Sequence, residues 1–437
     1  MSAPDAMRFV STRGGGAPLP FGAAIAQGLA PDGGLYVPSQ WPRFSPQDFP
    51  ADLPLAQFAA RFIEPFVAGD PLAGELPAIT AEAFNFPAPV VPLDAAGRLA
   101  VLELFHGPTA AFKDFGARFL AACLTRLRAA AERPLQILVA TSGDTGGAVA
   151  AAFHKRPGIE VTVLFPKGLV SPTQEQQLTC WGDNVRSFAV RGTFDDCQRM
   201  VKEAFLDGDL RQRFDLSSAN SINLGRLLPQ AVYFAATSLA VWRKHREKAS
   251  FVVPSGNLGH SVACLWAQRT GFPIGELVLA HNVNRAVPDY LETGEWRPRR
   301  SIATLACSMD VGDPSNMERM RALFPEVAAM RSALSAAVVD DDAIRARIRA
   351  GFERYGQVWC PHTASAAEAY DRLAADQRAH GRWTLAATAH PAKFREIVEP
   401  VIGVPVAVPD ALAKLFARPA ARTEIEAKLA ALRAALE

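Results

Sequence analysis

The sequence predicts an α/β protein of two lobes, each a mostly parallel sheet flanked by helices, with a further domain at the N-terminus. From residue 135 onward, short apolar runs of strand length alternate with stretches of helical periodicity. That β-α-β-α order gives parallel strands joined by right-handed crossovers and covered on both faces. A polar stretch at 219–226 interrupts the alternation, which then resumes, so two such sets are expected. Residues 1–97, rich in Pro, Gly and Phe, follow neither pattern and form the N-terminal domain or arm. At 437 residues the chain has room for two or three domains and a large core.

In the N-terminal part, residues 20–29 read as a helix, 31–34 as a tight turn into a short strand, and 55–66 as a second helix. This part carries no chemistry of its own. Residues 99–105 form an apolar strand, broken by Gly107 and Pro108. Phe112, Phe115, Phe119, Leu120, Cys123, Leu124 and Leu127 then recur at three- and four-residue spacing, so a helix buries one face, with Thr109 a plausible cap. The small lobe is expected over 133–218, with strands at 135–140, 161–165 and 185–190 and helices at 148–155, 172–181 and 194–205. The large lobe takes 98–132 together with 219–405. Its helices are expected at 228–242, 259–266, 315–335 and 341–355, its strands at 250–253 and 278–280, and βα units at 359–373 and 384–397. Residues 406–437 are expected to be a C-terminal helical segment.

Composition narrows the function. Hydrophobic residues make up 49%, charged residues 21%, and the net charge of +2 is interspersed, which argues against a nucleic-acid or membrane-surface partner. No apolar run reaches membrane-spanning length, and the N-terminus has no basic region followed by an apolar core. Six widely spaced cysteines without a Cys-x-x-Cys pair read as reduced core thiols, and eight histidines show no metal-binding cluster. A cytoplasmic small-molecule enzyme without a metal is expected.

Lys113 is the leading catalytic candidate. It follows a Gly-Pro turn, sits between Phe112 and Asp114-Phe115 at a strand-to-helix transition, and a cation there opposes the helix dipole unless the amine is neutral or covalently engaged. A desolvated lysine is a Schiff-base candidate, although an isolated lysine is ordinarily a solvated surface group. Gly256-Asn257-Leu258-Gly259 lies between a strand and a helix, where bare N–H groups can hold a phosphate; such turns also exist only for packing. Ser142, Asp144 and Thr145 occupy the same kind of turn and serve either as a helix cap or as a carboxylate or phosphate site. Asn220, Ser221 and Arg226 collect groups suited to an anion, or form a polar loop capping the next helix. Thr363 follows Pro361-His362 and is at least an N-cap.

Taken together, the 106–116 segment, the Ser-Gly-Asp-Thr-Gly turn and the Ser-Gly-Asn-x-Gly turn resemble the pyridoxal-phosphate enzymes of the tryptophan synthase β class, fold type II. Within that class the chain resembles the threonine synthase family, in its branch with an N-terminal domain. The resemblance extends to residues 27–38, Asn282-Val283-Asn284, 309–316 and 388–394. It departs at Leu258 and His260, where the family more often has Phe and Asp, and at 306–308. The resemblance implies pyridoxal 5′-phosphate as cofactor and conversion of O-phospho-L-homoserine and water to L-threonine and phosphate, by γ-elimination and β-addition of water. It implies that Lys113 holds the cofactor and then moves protons, that the amides of 256–259 bind its phosphate, and that Thr363 faces the pyridine nitrogen. Asp144 is placed near the ring's 3′ oxygen, with its protonation open. Ser142 and Thr145 are assigned to the substrate carboxylate, and Asn220, Ser221 and Arg226 to the substrate phosphate. The alternatives are a dehydratase-like or cysteine-synthase-like relative, disfavoured by the phosphate-binding set, and a non-catalytic protein binding the cofactor or a phosphorylated ligand. A monomer or weak homodimer is expected.

Overall fold

The computed structural model describes residues 6–437. A six-stranded sheet orders its strands Ser335–Val338, Ile274–His281, Ala249–Pro254, Arg382–Ala387, Leu99–Glu103 and Val90–Pro92. All pair in parallel except Val90–Pro92, which runs antiparallel to Leu99–Glu103. A five-stranded, fully parallel sheet orders Thr423–Glu426, Val185–Arg191, Ile159–Pro166, Leu135–Ala140 and Asp215–Ser218. Leu135–Ala140 is buried at every position, as a strand covered by helices on both faces must be.

The N-terminal part folds as expected around helices Phe21–Gln27 and Leu55–Ile63 and a two-stranded sheet of Phe9–Ser11 with Tyr36–Pro38. Phe44, Phe49, Phe58 and Phe62 gather with Phe272 at ring separations of 4.4–5.9 Å, pinning this part onto the large sheet's helical layer.

Several local expectations are corrected. The helix expected from 148 begins at Asp144, because Thr141 Oγ1 accepts from the amides of Gly143 and Gly146 and starts the turn earlier. Thr109 does not cap its helix, which runs Lys113–Leu127; its amide and hydroxyl instead donate to Asp114, at 2.8 and 2.6 Å. The stretch 315–335 is two short helices, Met317–Leu323 and Val327–Ala333, separated at Phe324-Pro325, and it leads into strand Ser335–Val338. Residues 359–373 hold the helix Pro361–Asp371 and no strand. Val90–Pro92, within the segment given to the N-terminal domain, joins the large sheet. Residues 406–437 are not purely helical: Thr423–Glu426 pairs with Val185–Arg191, and Leu432 and Leu436 pack on Cys197 and Met200 beneath the small sheet. None of the six cysteines is in a disulfide, and among the described residues no helix is long and apolar enough to cross a membrane.

Candidate active site

Four strands end at one cleft between the two sheets. Leu99–Glu103 leads through 106–112 to Lys113, Leu135–Ala140 into Thr141–Thr145, Ala249–Pro254 into 255–260, and Arg382–Ala387 into Thr388; all four exits contribute to the lining. Carboxyl ends of parallel strands are where open α/β sheets leave room for a ligand.

Lys113 is the first residue of its helix and lies on the cleft wall, with Nζ 4.8 Å from the centre of the Phe112 ring and 3.5 Å from Asp144 Oδ2. Burial lowers the pKa of this amine; Asp144 opposes the shift, and Lys393 and Arg226 reinforce it. Asp144 is 3% exposed and heads its own helix. Its Oδ1 receives Lys393 Nζ at 2.7 Å and Gln174 Nε2 at 3.2 Å, and its Oδ2 receives Ser308 Oγ at 3.0 Å. Burial alone would raise this carboxyl, but Lys393, Lys113 and His362 hold it well below the usual carboxylate range, which favours its ionised form.

The 255–260 turn is shaped for close approach to an anion. Leu258 takes a left-handed conformation (φ +62°) and the helix Gly259–Arg269 starts directly after it. A Cβ on Gly256 would stand 2.8 Å from Met309 Cα, so only glycine fits there. Among the described residues no protein acceptor takes the amide hydrogens of Gly256, Asn257, Leu258 or Gly259. Asn257 braces the turn, donating to Ser221 Oγ at 2.7 Å and accepting from Ser315 N at 2.5 Å. Bare amides at a helix start, with no acid among them, suit a phosphate group. A primary amine on the same cleft suits its aldehyde, so the residues present fit pyridoxal phosphate.

With Thr141 satisfying the turn, the hydroxyls of Ser142 and Thr145 have no protein partner among the described residues and line the cleft. Asn220 Nδ2 donates to Ala140 O at 2.7 Å, tying this loop to the Ser142 turn. Arg226 is 1% exposed, donates to Ala219 O, and among the described residues has no carboxylate partner and leaves Nε unpaired. Burial pushes its pKa down to about 10, still cationic at neutral pH. A buried, unpaired guanidinium on a cleft wall is costly unless an anion joins it.

The cleft thus brings together Lys113, Asp144, Ser142, Thr145, Asn220, Ser221, Arg226 and residues 256–259. It does not bring Thr363 to the surface: that hydroxyl is buried 3.3 Å from Cys360 Sγ, and the neighbouring His362 lines the cleft instead, accepting from Ser308 N at 3.1 Å. Sequence reasoning missed Lys393, Ser308 and His362. Lys393 lies within the 388–394 stretch that carried the resemblance, but nothing local marks it as buried. His260 stacks on Phe112 (4.2 Å, 20°) with both ring nitrogens unpaired, and burial beside Lys113 keeps it neutral.

Residues 82–389 match the family model of pyridoxal-phosphate dependent enzymes, residues 8–84 that of the threonine synthase N terminus, and residues 363–436 that of the threonine synthase C-terminal region. Threonine synthase of Escherichia coli is 40% identical over 417 residues, spanning 94% of this chain and 95% of that protein. The chain belongs to the threonine synthase family. The threonine synthase of Haemophilus influenzae is 38% identical over 416 residues, covering 95% of this chain and 96% of its own. The crystal structure of the E. coli enzyme superposes with a TM-score of 0.90 at 36% identity, covering 98% of this chain and 99% of that one. The pyridoxal-phosphate-bound threonine synthase of Brucella melitensis gives 0.88 at 33% identity, over 98% of both chains. The α/β architecture of two largely parallel sheets is that of threonine synthases, and the cofactor class is pyridoxal phosphate.

Proposed function

We propose that this chain converts O-phospho-L-homoserine and water into L-threonine and inorganic phosphate, with Lys113 as the cofactor-bearing amine. One observation carries the reading: the buried amine of Lys113 lines a cleft with two separate anion sites, the amides of 256–259 and the guanidinium of Arg226, which has no carboxylate partner among the described residues. The first suits the cofactor phosphate and the second the substrate phosphate. A dehydratase or cysteine synthase substrate would leave Arg226 buried without an anion.

The bound cofactor supplies an aldehyde for amines and a ring that stabilises negative charge on the carbon beside the substrate nitrogen. The chain supplies the rest. Ser142 and Thr145 hold the substrate carboxylate through hydroxyls that no protein group claims. Arg226, with Asn220 and Ser221, holds the phosphate until it leaves. Lys113 Nζ takes the proton from Cα and, as the amine tethered beside the reacting carbons, serves the transfers at Cβ and Cγ. Lobe closure over the cleft excludes bulk water while phosphate departs. The 98–132 and 219–405 segments act as the cofactor-binding lobe and 133–218 as the moving one. The assembly is a monomer or weak dimer, supported by the fact that the large exposed apolar side chains Val90, Leu169, Leu206, Ile302 and Val404 lie on five separate segments.

The test is product analysis. Purified protein should absorb visible light, borohydride should fix the chromophore to the Lys113 peptide, and phosphohomoserine should yield threonine and phosphate in equal amounts. Formation of a 2-oxoacid from threonine, without phosphate release from phosphohomoserine, would replace this reading with a dehydratase.

A further inference from the structure

Two lysines meet one carboxylate, Asp144, beside the cleft, all largely or wholly buried; the other buried carboxyl that feels Lys393, Asp114, is raised by burial and is taken up by the amide and hydroxyl of Thr109. Lys393 is 0% exposed, Lys113's side chain 14% and Asp144's 3%. One buried carboxylate can compensate only one ammonium, and a second cation held in a poorly solvated place sheds its proton instead. The geometry decides which lysine keeps the carboxylate. Lys393 Nζ is 2.7 Å from Asp144 Oδ1 and also donates to Thr109 O at 3.0 Å, whereas Lys113 Nζ stands 3.5 Å from Asp144 Oδ2. Lys393 is fixed at its backbone as well, since its carbonyl accepts from Ser171 Oγ at 3.2 Å and its amide donates to His390 O at 3.1 Å. Helix dipoles push the same way. Asp144 is the first residue of Asp144–Phe153, where an anion is favoured, and Lys113 is the first residue of Lys113–Leu127, where a cation is not.

We propose that Lys393 is a positioning residue that serves as the resident counter-ion of Asp144 and so leaves Lys113 as the free, nucleophilic amine of the site. The inference rests on Lys113 being the amine that takes the cofactor. Condensation of a primary amine with an aldehyde forms a C=N bond and releases one water, and it needs the nitrogen lone pair, hence the unprotonated amine. The groups that face Lys113 are Asp144, Lys393, Arg226, His260, His362 and Cys307. Of these only Asp144 is an anion at neutral pH, since burial holds the Cys307 thiol up at about 12. Removing Lys393 therefore gives Lys113 sole possession of that anion and raises its affinity for a proton.

The measurement is the pH dependence of the rate at which the full-length protein, freed of cofactor, gains visible absorbance with pyridoxal 5′-phosphate. Lys393→Met should move the midpoint to higher pH and slow capture at pH 7 by about three- to tenfold. Lys393→Arg should stay near wild type, and Asp144→Asn should move the midpoint to lower pH. A folded Lys393→Met protein with an unchanged or lowered midpoint would overturn the inference, as would an Arg variant behaving like the Met variant. If Lys393→Met does not fold, an Asp144→Asn midpoint at or above the wild-type value overturns it equally. Wild-type protein that forms no visible adduct on Lys113 would instead overturn the proposed function.

Discussion

The turns at 141–146 and 255–260 occupy the same place in their sheets, each leaving the carboxyl end of a buried parallel strand and opening a helix, yet they present opposite electrostatics. At 141–146 the Thr141 hydroxyl satisfies two turn amides and a carboxylate, Asp144, heads the helix. At 255–260 no side chain caps the helix, glycine heads it, and its first amides have no protein acceptor among the described residues. A helix N-terminus has one positive field to offer. The first turn spends it on an internal carboxylate, which then holds lysines; the second keeps it for an anion brought from outside. One side chain at the first helical position separates a turn that organises amines from one that binds phosphate.

The largest expected effect comes from removing the amine that both turns serve. Lys113→Ala should lower turnover by about 10³-fold or more, the scale of a lost proton-transfer group combined with lost covalent attachment. Its fold should persist, because Asp144 keeps Lys393 at 2.7 Å. Phosphate release and a thermal melt together check this; substantial threonine formation would remove Lys113 from the base role.

Next come the two turns themselves. A methyl group on Gly256 would collide with the backbone of Met309, whereas at Gly143 it would press on the Gln174 side chain, which can give way, and the φ of +132° is what requires glycine there. Gly256→Ala should weaken cofactor binding by about tenfold or more, since the strain of overpacking, about 1–3 kcal/mol, falls on the amides themselves. Titration of the apoprotein by visible absorbance reads it out. Gly143→Ala should register mainly as lost thermal stability. If both variants lost cofactor affinity equally, the assignment of the phosphate to 255–260 alone would fail.

A smaller effect, on substrate rather than cofactor, is expected from Arg226. Arg226→Met should raise the phosphohomoserine KM by about tenfold, the loss of a charge-assisted hydrogen bond. It should leave the chromophore intact. Thermal stability should hold or rise, because the guanidinium is buried without a carboxylate partner. An unchanged KM would take Arg226 out of the phosphate site.

How much of this was legible in the sequence depended on whether the signal was local. Leu135–Ala140 is apolar except for Gln136 and its strand bounds match the expectation to the residue. Asp215–Ser218 and Ser335–Val338 were invisible because they are four residues long and rich in polar or small side chains, and their pairing with a longer strand makes them strands. Thr423–Glu426 escaped for the same reason at a sheet edge. In the site, Lys113 and the glycine turns could be found because their flanking strand-to-helix patterns mark them. Lys393 could not, since its burial depends on the chain returning after some 280 residues to donate to Thr109 O. The placement of Thr363 and His362 was hidden for a similar reason: a helix start fixes which residues are near the cleft, and only packing against Cys360 and Ser308 sets where each side chain goes.

The finest distinction between the turns lies within 141–146, where neighbouring hydroxyls have separate duties. Thr141 Oγ1 accepts from Gly143 N at 2.9 Å and from Gly146 N at 2.8 Å, while Ser142 Oγ has no protein partner among the described residues and lines the cleft. Thr141→Val keeps the shape but leaves two buried amides unpaired, and should cost about 1–3 kcal/mol of stability. Ser142→Ala removes nothing the folded chain uses and should change stability by no more than about 0.5 kcal/mol. It should nonetheless raise the phosphohomoserine KM by about three- to tenfold through one lost hydrogen bond to the substrate carboxylate. Paired thermal melts and KM values on the two variants decide the matter. If Ser142→Ala melted early with an unaltered KM, Ser142 would be part of the cap, and the contrast between a self-satisfied turn and an open one would have to be redrawn around Thr145.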